Sequence, residues 1–269
     1  VYAHLDLFDA IDWGLIIYDE VHLLPAPIFR FTADIQSRRR LGLTATLVRE
    51  DGMEGEVFSL IGPKRFDVPW KEIEAQGYIA PADCVEVRIT LTDAERLNYA
   101  TAEQEDRYRF CATSQTKKDV AIALAKQHAN DQVLVIGQYL EQLDQLSEAL
   151  GVPVIKGETP VKERERLFAL FRTGEIKCLV VSKVANFSID LPEATIAIQV
   201  SGTFGSRQEE AQRLGRILRP KADGRTARFY SLVARDTVDQ DFAQNRQRFL
   251  AEQGYAYRII DADEVINKN

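Results

Sequence analysis

Three features of the sequence predict an α/β protein built from parallel sheets covered by helices. From Asp131 onward, apolar runs of strand length alternate with amphipathic runs of helical length, the succession that gives a parallel, doubly covered sheet. Gly151 and Gly174 stand where helices stop, and Pro160 stands where one starts. Near the start, Trp13 to Tyr18 is an unbroken apolar run, long enough for a strand buried on both faces.

The chain's 269 residues leave room for two modest domains at about 150 residues each. Hydrophobic residues make up 45% and charged residues 28%, a globular profile. No apolar run approaches the roughly 18 residues of a membrane span, and no signal peptide opens the chain. The expectation is a cytoplasmic protein with no membrane partner. Cys84, Cys111 and Cys178 are far apart and odd in number, which suggests neither a disulfide framework nor a zinc site. A net charge of -7 repels a polyanion at long range, so nucleic-acid binding must come from local patches. The candidates are Arg38 to Arg40, Lys117 with Lys118, and Arg213 to Lys221.

Taken in order, the first strand ends in Asp19 and Glu20, at the edge where ligands sit in open α/β sheets. One carboxylate there can hold the waters of a magnesium ion while its neighbour orients or deprotonates an attacking water. An acidic pair at a strand end also arises by chance. A second strand over Arg40 to Leu43 leads into Thr44, Ala45 and Thr46. Gly62 to Pro81 is punctuated by Pro63, Pro69 and Gly77, as a hinge would be. Cys84 to Leu91 alternates like a half-exposed strand. Thr92 with Glu95 opens a helix running to about Phe110, and a second amphipathic helix covers about Thr116 to His128.

Beyond these, strands are predicted at Val133–Gly137, Val152–Lys156, Lys177–Ser182, Thr195–Val200 and Ala227–Leu232. Helices fill Leu140–Leu150 and the stretch from Pro160 to Gly174. A polar helix over about Thr237 to Gln253 and an apolar strand over Tyr255 to Ile260 follow. Between Val200 and Ala227 lies GSRQEEAQRLGRILRPK, predicted as a helix from Ser206, paired with Glu209, to Arg219 before Pro220. Ala211, Leu214 and Leu218 give it a buried stripe, and Gln212, Gly215, Arg216 and Arg219 a second one. A glycine inside a helix costs roughly 1 kcal/mol relative to alanine, so something is expected to press against that face. Guanidinium groups suit the spread charge of a transferring phosphoryl group; an ordinary basic helix is the plainer alternative.

The sequences DEVH from Asp19, LGLTAT from Leu41 and QRLGRILR from Gln212, in that order, resemble motifs II, III and VI of superfamily 2 helicases. Arg49, Glu50 and Asp51 following TAT match the RED motif of the XPB-type DNA repair helicases. The resemblance implies two RecA-like domains using ATP and Mg2+: the back part of the first over 1–67, a hinge over 68–82, and a complete second over 83–269 with a short helical insertion at 92–129. It implies Asp19 as the magnesium ligand, Glu20 as catalytic base, and His22 as a link from nucleotide to motif III. Thr44 and Thr46 would couple nucleotide state to domain position. Arg49, Glu50 and Asp51 would part the strands of a duplex fork. Ser182 would meet a DNA phosphate, Asp190 would lie near the ribose, and Lys117 and Lys118 would sit where the family's insertion touches DNA. Gln212, Arg216 and Arg219 would close on the terminal phosphate.

Motif V, SKVANFSIDLPEA, departs from many relatives in carrying Ala185 and Asn186 for Gly and Asp, so the amide of Asn186 cannot act as a base. The phosphate-binding pattern GxxxxGK[ST] does not occur and Val1 opens the chain. The expectation is therefore a fragment that does not hydrolyse ATP alone, whose partners are the N-terminal half of the same protein, DNA as fork or single strand, and a repair nuclease. Two alternatives stand beside it: a restriction-enzyme translocase subunit, and a non-catalytic module binding DNA or a repair partner.

Overall fold

The computed structural model describes residues 10–26, 31–44, 54–78, 82–182, 194–202, 226–252, 254–255 and 257–266. The chain divides into two compact units, Val1–Val68 and Pro69–Asn269.

In the first unit, β1 (Ile16–Tyr18) and β2 (Arg40–Gly42) pair in parallel, with Ile17 opposite Leu41. Helix α1 (Glu54–Ile61) follows. Its core gathers Val21, Leu24, Ala33 and Val57, with Tyr18, Leu60 and Ile61 against them. A Cβ on Gly42 would lie 2.8 Å from Val21 Cγ2, so only glycine lets β2 pass this close to the turn after β1. Arg40 sends its guanidinium inward, donating to the carbonyls of Ala33 (2.6 Å), Ile35 (3.0 Å) and Leu60 (3.2 Å). It is a fastener of this unit, not part of a basic surface patch. The expectation that both strand faces are covered does not hold among the described residues: Ile17 is 56% exposed and Leu41 45%, with Leu15 and Leu43 exposed on the same side.

Part of the expected hinge belongs to the second unit. Pro69 starts α2 (Trp70–Ala75), whose Ile73 packs on the core beyond it. Lys71 lies 4.7 Å from the Tyr255 ring centroid, so this turn of helix is docked rather than loose.

The second unit runs β3 (Ala82–Ile89), α3 (Asp93–Thr101), α4 (Gln104–Ala112), α5 (Gln115–Gln127), β4 (Val133–Gly137), α6 (Leu140–Leu150) and β5 (Val154–Ile155). It continues with α7 (Val161–Thr173), β6 (Cys178–Ser182), β7 (Ile196–Gln199), β8 (Ala227–Ala234), α8 (Val238–Glu252), β9 (Tyr257–Asp261) and α9 (Ala262–Ile266). The strands form one sheet in the order β5-β6-β4-β7-β8-β3-β9, every neighbouring pair parallel. One face packs on Leu167, Phe168 and Phe171 of α7 and Leu250 of α8. The other packs on Val120, Ala121 and Leu124 of α5 and Leu143 and Leu146 of α6. Gly151 and Gly174 end α6 and α7 at φ 65° and 78°, backbone that a side chain strains.

Two expectations change here. β3 is an inner strand between β8 and β9, not half exposed: its polar Glu86 is buried, accepting from Gln247 Nε2 (2.8 Å) and the Tyr257 hydroxyl (2.6 Å) and pairing with Arg88. The stretch 92–129 is not one insertion. The helix expected over Thr92 to Phe110 breaks at Ala102 and Glu103, both extended, which frees α4 to bury Tyr108, Cys111 and Ala112 while α3 fully buries no residue and Tyr99 only in part. α5 covers the sheet outright. No helix among the described residues is long and apolar enough to cross a membrane.

Candidate functional site

At the carboxyl end of β1 the chain turns sharply. Glu20 adopts φ 50°, ψ 47°, a left-handed conformation that costs a side-chain-bearing residue roughly 1–2 kcal/mol. Asp19 Oδ1 accepts the Glu20 amide at 2.9 Å, fixing the turn from within. Strain of this kind clusters at working sites. Immediately beyond, the backbone returns to β2 through Val21 N to Leu43 O at 2.9 Å, and His22 is buried. Its Nδ1 lies 2.8 Å from Thr44 Oγ1 and 3.4 Å from Glu20 Oε2. Four of the expected residues, Asp19, Glu20, His22 and Thr44, are thus joined in one place.

The burial of Tyr18 raises its phenol pKa, with Arg40 and the bond to Thr32 pulling the other way. Its hydroxyl donates to Thr32 O at 2.7 Å, which ties the end of β1 to the following loop. Among the described residues no three His, Cys, Asp or Glu side chains gather as a metal cage. Magnesium does not need one, since a single carboxylate, waters and substrate phosphates suffice. Asp19 is exposed at the strand end, as that role requires.

The second unit presents a different set at the carboxyl edge of its sheet. Ser182 ends β6 opposite Gly137 and is buried; its Oγ has no hydrogen-bond partner among the described residues. Gln199 and Ser231, paired across β7 and β8, are buried as well. Beyond the strands, Ser201 Oγ receives the Gln138 amide at 2.8 Å and approaches Gln142 Oε1 at 3.3 Å. Gln142 Nε2 donates to Ala112 O at 2.7 Å. Tyr108 hydrogen-bonds both backbone groups of Gly202, donating to its carbonyl at 2.6 Å and accepting its amide at 2.9 Å. Sequence reading missed Tyr108, Gln142 and Ser201, because partners 94 and 59 residues apart leave no local pattern.

Lys117, expected to touch DNA, is instead part of the core. It is 0% exposed, and its Nζ lies 2.6 Å from Asp239 Oδ2 at the start of α8, so it cannot reach a phosphate. Lys118 lies outside the core, donating to Gln145 Oε1 at 2.7 Å. Thr46, Arg49, Glu50, Asp51, Asp190, Gln212, Arg216 and Arg219 lie outside the described residues.

A family model described as ERCC3/RAD25/XPB C-terminal helicase matches residues 73–269. A DNA 3'-5' helicase XPB of Kineococcus radiotolerans is 75% identical over 265 residues, covering 98% of this chain and 48% of that protein. The general transcription and DNA repair factor IIH helicase/translocase subunit XPB/SSL2 of Saccharomyces cerevisiae is 40% identical over 95% of this chain and 31% of its own. The chain therefore spans about half the length of the first relative or less. Among solved structures, S. cerevisiae Dbp5 bound to RNA and ADP BeF3 superposes with a TM-score of 0.64 at 16% identity, over 98% of this chain and 65% of that one, a likeness of fold.

Proposed function

Because the chain belongs to the ERCC3/RAD25/XPB family of helicases, we propose that it is part of an ATP-driven DNA helicase or translocase of the XPB type, acting in DNA repair. The observation that carries this reading is the acidic turn after β1, where a strained Glu20 and a buried His22 are tied to Thr44. Asp19 would hold magnesium through water, and the ion would neutralise charge on the phosphate oxygens of ATP. Glu20 would accept the proton of the attacking water. His22, bonded to Thr44, would pass the state of that turn to the segment after β2. Gln212, Arg216 and Arg219, in the family's motif VI, would draw charge from the terminal phosphate. Ser182, Lys118 and the Arg49–Asp51 motif are the residues proposed to face DNA.

We further infer that this chain alone hydrolyses ATP poorly. The uncovered apolar side of β1 and β2 supports a first domain lacking part of its layers, consistent with a sequence free of GxxxxGK[ST]. DNA-stimulated turnover by the chain alone, abolished by Asp19→Ala, would overturn that inference.

The main test uses the full-length protein. Glu20→Gln is expected to lower DNA-stimulated ATP hydrolysis about 100-fold or more while DNA affinity holds. Arg216→Ala is expected to lower it about a thousandfold, again with DNA affinity held. Near wild-type turnover in Glu20→Gln would sink its role as the base, and no DNA-stimulated turnover in the unsubstituted protein would sink the motor assignment. A parallel loss of DNA binding in Arg216→Ala would sink the arginine role.

A further inference from the structure

The turn that carries Asp19, Glu20 and His22 is seated on one point of β2. Its Val21 is 4% exposed and packs among Leu24, Ala33 and Val57, a dense site from which a side chain does not swing aside freely. Toward β2 it rests on the bare α-carbon of Gly42. A Cβ built there would stand 2.8 Å from Cγ2 of Val21 and 3.0 Å from its Cβ and Cγ1. Two backbone bonds bracket the contact, Leu43 N to Tyr18 O at 2.8 Å and Val21 N to Leu43 O at 2.9 Å. The backbone of Gly42 is not left-handed, so its missing side chain matters for space alone.

Carbon atoms rest at about 3.5–4.0 Å, so a methyl on residue 42 would push Val21 back by roughly 0.5–1 Å. Glu20 and His22 flank Val21 in the chain, and Glu20 is already held at φ 50°, with little freedom to absorb the shift. A misplacement of about 1 Å at a reacting group costs up to about 100-fold in rate. We propose that Gly42 is a positioning residue for ATP hydrolysis: by letting Val21 seat directly on β2, it sets where the turn holds the Glu20 carboxylate. This rests on the proposed role of Glu20 as the base. A residue that sets the pose of the base acts on the chemical step, so its loss appears in kcat rather than in substrate affinity.

The test measures DNA-stimulated ATP hydrolysis by the full-length protein, with a circular-dichroism melt to establish that each variant is folded at the assay temperature. Gly42→Ala is expected to lower kcat about tenfold, with KM for ATP and Kd for DNA within about twofold. Val21→Ala removes both Cγ atoms and leaves one contact at 3.0 Å, which the vacated space absorbs. Alone it loosens the seat and is expected to cost about threefold in kcat. Adding Gly42→Ala to it is expected to change kcat by less than about twofold, and that comparison still decides if Gly42→Ala alone does not fold. A larger loss in the double variant, wild-type kcat in Gly42→Ala, or a loss that falls on KM or DNA affinity instead overturns the positioning role. In the Glu20→Gln background, Gly42→Ala is expected to cost less than about twofold. The full loss appearing there too overturns action through Glu20 and leaves the base standing, whereas near wild-type turnover in Glu20→Gln itself overturns the base and this inference with it.

Discussion

A lysine without exposed surface needs a counter-charge, and Lys117 has Asp239 at 2.6 Å. Read locally, Lys117 and Lys118 form a basic pair on a helix opening. The partner 122 residues away is invisible to that reading, which is why burial was missed. Lys117→Ala leaves the carboxylate without its cation and is expected to destabilise the second unit by about 3–5 kcal/mol. Lys117→Met with Asp239→Leu should recover only part of this, because Asp239 Oδ2 also accepts the Ala234 amide at 3.0 Å, a buried donor that would lose its partner. Urea unfolding measures both, and a loss under about 1 kcal/mol for the single variant would contradict the pairing. Cys178 gives a second residue-scale prediction. Burial pushes its thiol from 9.0 up to about 12, so folded protein at pH 8 should alkylate at this position far more slowly than unfolded protein. The sign for stability follows: above about pH 9 the unfolded chain releases a proton that the native thiol retains, so stability falls as pH climbs toward 12.

Helix α3 fully buries none of its residues; its partly buried Tyr99 packs on the cluster of Leu91, Tyr108 and Cys111, and polar contacts add to that hold. Glu95 is their centre: its carboxylate accepts from Thr92 N at 2.9 Å, Thr116 N at 3.0 Å and Thr116 Oγ1 at 2.7 Å. Burial works to raise its pKa, but the hydrogen bonds from Thr116 and Thr92 outweigh it and hold the carboxyl below its usual range. A depressed value in the folded state means stability present above about pH 4.5 and lost as pH falls through the folded value. Glu95→Gln should accordingly loosen α3 at pH 7, seen as faster amide exchange over 93–101, with the difference from wild type closing in acid. A difference that persisted unchanged at low pH would exclude the carboxylate as the cause. The capping pair was legible from Thr92 and Glu95 alone. The bond to Thr116 was not, because it crosses between helices.

For the whole molecule, the alternation that starts at Val133 was readable to the residue in β4 and α6, because each is bounded by glycine or a polar turn and filled with one kind of periodicity. β3 was misjudged because Glu86 imitates a solvent-facing position while bonding Gln247 and Tyr257. In the acidic site, the motif named the residues, but the left-handed backbone of Glu20 and the His22–Thr44 bond needed coordinates. The two units should also differ in self-sufficiency. A piece beginning at Pro69 has both faces of its sheet covered and is expected to unfold cooperatively in a thermal melt by circular dichroism. A piece ending at Val68 leaves Ile17 and Leu41 in water and is expected to show no such transition. The reverse pattern would count against the division at Val68.

The place of β3 in the sheet bears on how the polypeptide is made. Asp83 bonds Arg228 from 145 residues away, and both neighbours of β3 come from the last strands in sequence. At translation speeds of about 5–20 residues per second, its unpaired edges and apolar side chains must wait roughly ten to thirty seconds for them. Nascent chains stalled before Ala227 should therefore lean on chaperones far more than chains released after Asp261.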